Sequence, residues 1–144
     1  MPELPPTGFG VGNLEFEGRD YDWTDYYRAI YWPILRAWYL RLYLTSDSFN
    51  KWAYSARSNM LNHQVKIRFT IQASGQVTDI SVELPSGCDP LDLSATDALR
   101  AVVLPKLPAD FSRSSETVHA RFLMEGDARM VASSLEPYIR AWGL

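Results

Sequence analysis

The feature that most limits what this chain can become is the run from Val65 to Ala73. Val65, Ile67, Phe69, Ile71 and Ala73 alternate with Lys66, Arg68, Thr70 and Gln72. A period of two sends the two sets to opposite faces, so the segment reads as a strand with one buried and one wet face. Ser74-Gly75 follows at once, and the glycine supplies the positive φ that a tight hairpin needs. A return strand is expected from Gln76 to Leu84, with Ile80, Val82 and Leu84 toward the core, stopped by Pro85-Ser86-Gly87.

The period then lengthens. Leu91, Ala95, Ala98, Leu99 and Val102 fall on one face of a helix running from Leu91 to Val103. Asp89 or Asp92 can cap it, and Pro90 suits its first turn. Pro105 and Pro108 end it and impose an extended stretch from Leu104 to Phe111. Alternation returns from Thr117 to Glu125, with Val118, Ala120, Phe122 and Met124 inward, which predicts a third strand. Hairpin, helix and third strand therefore make a core from His63 to Glu125.

The flanks read differently. The chain has 5 Trp, 8 Tyr and 6 Phe, and most of the excess lies between Tyr21 and Tyr54. Tyr26, Ile30, Ile34, Ala37 and Trp38 recur at spacings of three and four, a helix of about five turns capped by Thr24 or Asp22. Pro33 lies inside it and should bend it or split it in two. Aromatic packing against the core is the main reading of this helix; a homodimer or partner face is a second, and a membrane-lying helix a third that scattered arginines and an acidic chain disfavour. Phe49 to Met60 is compatible with a second helix, and Val131 to Trp142 with a last one. Residues 1–20, with Pro2, Pro5, Pro6 and four glycines, read as a tether, although Leu14, Phe16 and Tyr21 could lay a short extended piece on the domain surface. Residues 21–144 form the domain. The predicted fold class is α+β: a two-layer sandwich of a three-stranded antiparallel sheet and a packed helix, preceded by the aromatic-rich helix and followed by a C-terminal helix.

Chemistry-bearing patterns are sparse. A net charge of -3 without a Lys/Arg run argues against nucleic acid, because phosphate contacts need a clustered positive surface. Cys88 is the single cysteine, so an internal disulfide is excluded, and only His63 and His119 could join it at a metal. Ser86-Gly87-Cys88-Asp89 has no histidine placed as a base unless the fold brings His119 to Cys88. Asp79 and Glu83 lie roughly 13 Å apart along a strand, too far for a glycosidase pair, and are expected to pair with Lys66 or Arg68. Gly8-Phe9-Gly10-Val11-Gly12 lacks the strand and helix of a dinucleotide loop. No run of about 18 apolar residues is present, and no secretory signal pattern follows Met1. The expectation is a binding module, not an enzyme, with no cofactor and no metal.

One resemblance draws these pieces together. The alternation of Val65 to Ala73, then Gly75-Gln76-Val77, Ile80, Val82, Ser86-Gly87, Leu91-Asp92, Ala95, Ala98 and the Leu104-Pro105 to Leu107-Pro108 stretch resembles the C-terminal domain of the TonB/TolA energy-transducer family. Phe16, Tyr21-Asp22-Trp23, Tyr26-Tyr27, Ile30, Ile34 and Trp38 are similar to the helix that precedes the sheet there. The resemblance spans Phe16 to Glu125. It implies a periplasmic domain anchored to the inner membrane by an N-terminal helix and a proline-rich linker, whose end would be Pro2, Pro5 and Pro6. It implies a proton-driven motor of the ExbB/ExbD or TolQ/TolR type. It also implies an outer-membrane receptor or other envelope protein as partner, held in the TonB case by adding a short peptide to a sheet edge. Three departures stand out: the aromatic-rich connection Tyr39 to Asn62, Cys88, and the helical tail Asp127 to Leu144, which could cover the outer edge strand. If the last strand is the docking edge, Thr117, His119, Arg121 and Leu123 line its outward face. The alternative function is a structural or adaptor module of an envelope secretion or motility complex that self-associates.

Overall fold

A computed structural model describes residues 7–144. Pro2, Pro5 and Pro6, the proline-rich part of the expected tether, lie outside the described residues. The elements run β1 (Phe9–Val11), β2 (Glu15–Phe16), α1 (Thr24–Leu44), α2 (Ser46–Ala56), β3 (Met60–Gln72), β4 (Val77–Leu84), α3 (Asp89–Ala101), β5 (Ser115–Asp127) and, after a 3₁₀ turn, α4 (Val131–Ala141). The class is α+β as expected, with an aromatic-rich helical region ahead of the main sheet strands.

The strand count differs from the expectation. The sheet has five strands, ordered β1-β5-β3-β4, with β2 also on β5. Every pairing is antiparallel. The two additional strands come from the segment expected to be a tether. Phe9 lies opposite Met124, Val11 opposite Phe122, and Phe16 opposite Val118. Phe9, Val11 and Leu14 are buried, so the arm contributes apolar side chains to the same core as β5. At least one of the arm's glycines serves close approach, not slack. Gly8 has φ +81°, and a Cβ there would stand 2.3 Å from the Glu125 carbonyl oxygen.

The strands form one layer and the helices pack on one face of it. Val65, Ile67, Phe69 and Ile71 of β3 and Val118, Ala120, Phe122 and Met124 of β5 are all buried, as their alternation predicts. Leu91, Ala95, Ala98 and Leu99 of α3 and Tyr26, Ile30, Ile34 and Trp38 of α1 complete the core. Pro33 does not split α1, which runs unbroken from Thr24 to Leu44. Its neighbours Tyr31, Ile34 and Leu35 are buried, and that tertiary packing offsets the one lost backbone hydrogen bond. α2 ends at Arg57, which takes the left-handed conformation at φ 55°.

Two expectations about β4 fail together. Val82 and Leu84 are exposed and Ile80 is only half-buried. The register against β3 shifts twice, between Lys66 and Ile67 and between Arg68 and Thr70, and Asp79 sits at φ 53° in the second shift. Each extra residue turns the following side chains over, so Leu84 lies opposite Lys66 on the wet face while Val82 lies opposite Ile67 on the helical side. β4 is also an edge strand, paired only with β3.

Candidate partner-binding surface

The sheet's outward face carries the sequence-predicted contacts. Thr117, His119 and Arg121 are half-exposed and Leu123 is exposed, all on the side away from the helices. Their strand is not an edge, however. β5 pairs with β3 along one side and with β1 and β2 along the other. The premise that β5 is the docking edge is therefore overturned, because residues 9–16 already occupy that edge in cis.

This occupancy is built from both layers. The Glu125 amide donates to the Gly8 carbonyl at 2.8 Å, the Gly12 amide to Arg121 at 2.8 Å, and the Glu17 amide to Thr117 at 3.1 Å. From the other side, two tyrosines of α1 reach the arm. Tyr39 donates its hydroxyl to the Phe9 carbonyl at 2.6 Å, and Tyr31 donates to the Val11 carbonyl. Burial pushes both phenols up to about 12, so they stay protonated donors at any physiological pH. The Gly18 amide donates to the buried carboxylate of Glu116 at 2.7 Å, and the Trp23 indole donates to the Gly18 carbonyl at 2.7 Å. Buried polar groups that find partners in this way fix one arrangement of the arm.

His119 closes the arrangement on the outward face. Its Nε2 meets Glu17 at 2.7 Å, and its Nδ1 meets Glu83. An ionised carboxylate only accepts, so both ring nitrogens must donate, and the bridging form is the imidazolium. Partial burial alone would lower the His119 pKa; the hydrogen bonds to Glu17 and Glu83, with their charges, outweigh it and raise the pKa above its ordinary value. The pairing expected for Glu83 with Lys66 or Arg68 is thus replaced by one with His119, and the Asp79 carboxylate instead accepts from Thr78. The bridge ties the arm to the edge strand β4 across the sheet. Because the folded pKa is raised, its contribution is complete below about 6.5 and is lost as pH rises through the higher folded value. We expect an NMR titration to place His119 above an unperturbed histidine, and Glu17→Gln with Glu83→Gln to bring it down. A His119 pKa at or below the ordinary value contradicts the bridge.

Cys88 and His119 do not meet. Cys88 is fully buried in the core before α3, and burial pushes its thiol up to about 11, away from reactivity. Asp92, expected as a cap, instead accepts from the amide and hydroxyl of Ser86 and so closes the β4-to-α3 connection. Among the described residues no group of three His, Cys, Asp or Glu could hold a metal ion, and no helix is long and apolar enough to cross a membrane.

The tail does not take the place open to it in the sequence reading, while the aromatic helix follows its main reading. α4 does not cover a sheet edge. It packs on α1, with Trp142 edge-on to Trp32 at 4.8 Å and stacked on Tyr39 at 5.5 Å. The aromatics of α1 largely face inward, and Tyr26, Tyr31, Trp38 and Tyr39 are buried. A self-associating face on that helix loses its main groups. Two strands end the sheet: β1, whose outer Phe9 and Val11 carbonyls already accept from Tyr39 and Tyr31, and β4, whose outer side has no strand partner. Sequence reasoning allowed a short extended piece at Leu14, Phe16 and Tyr21 but missed the pairing of the arm with β5, the Glu17–His119–Glu83 bridge and the exposure of β4.

Comparison with known families matches residues 35–122 to the family described as TonB C terminal. No curated protein matches the chain, and no solved structure does. The match is narrower than the resemblance read from Phe16 to Glu125. It begins inside α1, takes in α2, the β3–β4 hairpin and α3, and ends within β5. The arm and α4 lie outside it. With more than half of the chain matched, the protein belongs to the TonB C-terminal family, whose domains are transducer and adaptor modules and not catalysts.

Proposed function

We propose that this chain is the periplasmic, protein-binding end of a TonB-like energy transducer. In that reading an N-terminal helix anchors the full-length protein in the inner membrane, and Pro2, Pro5 and Pro6 end the linker that follows. An ExbB/ExbD-like or TolQ/TolR-like motor drives it, and the domain grips an outer-membrane receptor or another envelope protein. The family match over residues 35–122 is the observation that carries the reading. The partner contacts proposed on β5, Thr117, His119, Arg121 and Leu123, act from the outward face of the sheet and not from an edge.

The test is crosslinking of the full-length protein in intact cells, with and without a protonophore. The reading expects the protein in the inner-membrane fraction and an envelope protein crosslinked to it in a yield that changes when the gradient is dissipated. Crosslinks only between copies of the chain, unchanged by the protonophore, would favour the self-associating adaptor and overturn the transducer.

A further inference from the structure

With the β5 edge closed by the arm and the outer carbonyls of β1 taken by Tyr31 and Tyr39, the surface beside β4 is the end of the sheet left to a partner. Val82 is 40% exposed on the helical side of β4, and Leu93 is 60% exposed on α3. Between them runs a groove of about 320 Å³ lined by Val82, Leu93, Thr96, Asp89 and Asp92. Leu93 and Asp89 also line a second cleft of about 420 Å³ on the other side of α3, against Trp52 and Lys51 of α2. The two depressions therefore meet at one exposed leucine.

The charge on these elements is one-sided. β4 and α3 carry Asp79, Glu83, Asp89, Asp92 and Asp97 against a single cation, Arg100, which is paired to Asp97 at 2.9 Å. The whole chain is only -3, so the remainder is close to neutral and the negative charge is concentrated here. Asp92 and Glu83 have partners in Ser86 and His119; Asp89 is exposed and makes no hydrogen bond or ion pair among the described residues.

We infer that the β4 edge and the α3 groove together form a docking site for an extended peptide segment of another protein, one with an apolar side chain flanked by lysine or arginine. This deepens the proposed function by adding a second surface, on the helical side of the sheet and apart from the β5 contacts, and by naming the partner's chemistry; it rests on that reading. The segment's apolar side chain seats between Val82 and Leu93, and its cations face Asp89 and the neighbouring carboxylates. Backbone pairing to β4 is short, because only Ser81 and Val82 keep regular register between the two shifts. The shifts blunt the edge against indiscriminate strand pairing and leave selection to the groove. A second copy is a poor occupant, since two such edges would bring like charges together.

The experiment uses the 144-residue chain, isotopically labelled, and two capped heptapeptides. One alternates lysine with valine; the other alternates glutamate with valine. The lysine peptide is expected to shift the amides of Ser81, Val82, Leu93 and Thr96 saturably, and the glutamate peptide to bind at least about tenfold more weakly. Leu93→Lys and Val82→Lys should each abolish the shifts with unchanged circular dichroism and unfolding midpoint, since both side chains are exposed. Added salt should weaken binding. Equal binding of the two peptides overturns the inference, as do shifts centred on β1 and β5 or no saturable shift. Concentration-dependent shifts at β4 without peptide would assign the edge to a second copy and also overturn it. If cells show a gradient-dependent envelope partner while these amides stay silent, the transducer reading stands and this surface falls. If the peptide binds but no such partner exists, the reverse holds.

Discussion

Trp38→Ala should cost the domain about 3–5 kcal/mol of unfolding free energy, the range for removing a fully buried indole. Trp38 has no exposed surface. It stands edge-on to Phe122 of β5 at 5.1 Å and donates its Nε1 to Ser94 of α3 at 3.0 Å. A single side chain thus joins α1, α3 and the central strand. Truncation leaves a cavity, and it removes the donor for the buried Ser94 hydroxyl, which still donates to the Leu91 carbonyl at 2.7 Å. A domain of this size has total stability of only about 5–15 kcal/mol, so the variant should unfold at far lower urea. Equilibrium urea unfolding with an unchanged m-value checks it. Trp38→Phe should recover part of the loss by refilling the space without the hydrogen bond.

The second large effect is at the hairpin. Gly75 has φ +91°, and a Cβ there would lie 2.2 Å from the Leu104 carbonyl oxygen and 2.8 Å from that of Pro105. The tip of the β3–β4 hairpin is pressed against the extended segment after α3. Ala73 donates to the Ser114 carbonyl at 2.8 Å, and Leu107 donates to Ala73 at 3.1 Å. Gly75→Ala should therefore destabilise by roughly 2–4 kcal/mol, the backbone conformation and the contact acting together. Gly75→Asn separates the two causes. Asparagine tolerates positive φ but still brings a Cβ, so it should remain close to the alanine variant. Recovery of most of the stability by asparagine would show that conformation alone matters and that the hairpin tip has room.

These two sites also show what the sequence made legible. Gly75 was readable as a turn because it follows a period-two run; its contact with Leu104 was not, since that needs the fold. Trp38 was readable as core from its helical spacing. The alternations of β3 and β5 and the face of α3 were legible for the same reason: periodic burial writes a periodic sequence. The arm was not. Strands of three and two residues are too short to show a period, and glycine that allows close approach to β5 looks the same as glycine in a linker. In β4 the alternation reads as unbroken, while shifts at Asp79 and Glu83 turn side chains over without any mark in composition. The bridge at His119 was out of reach altogether, because its partners are 102 and 36 residues away in the chain.

What the domain offers a partner depends on which edge is open. Closure of β5 by the arm directs attention to β4, whose Leu84 is 53% exposed and whose outer side has no strand partner. It also places the start of the domain on the central strand. In the proposed transducer a pull from the linker would then load β1 and β2 against β5, where backbone pairing, the tyrosines of α1 and the His119 bridge all resist it.

Native-state hydrogen exchange, read residue by residue by NMR, tests that closure most directly. The amides of Gly12, Glu17 and Glu125 donate across the arm–β5 junction and should be strongly protected. Their protection should fall in Gly8→Ala, whose Cβ would collide with Glu125. Exchange of these three amides at the rates of an unstructured chain, with β3 and the rest of β5 still protected, would mean that the arm is a tether after all and that the β5 edge is open.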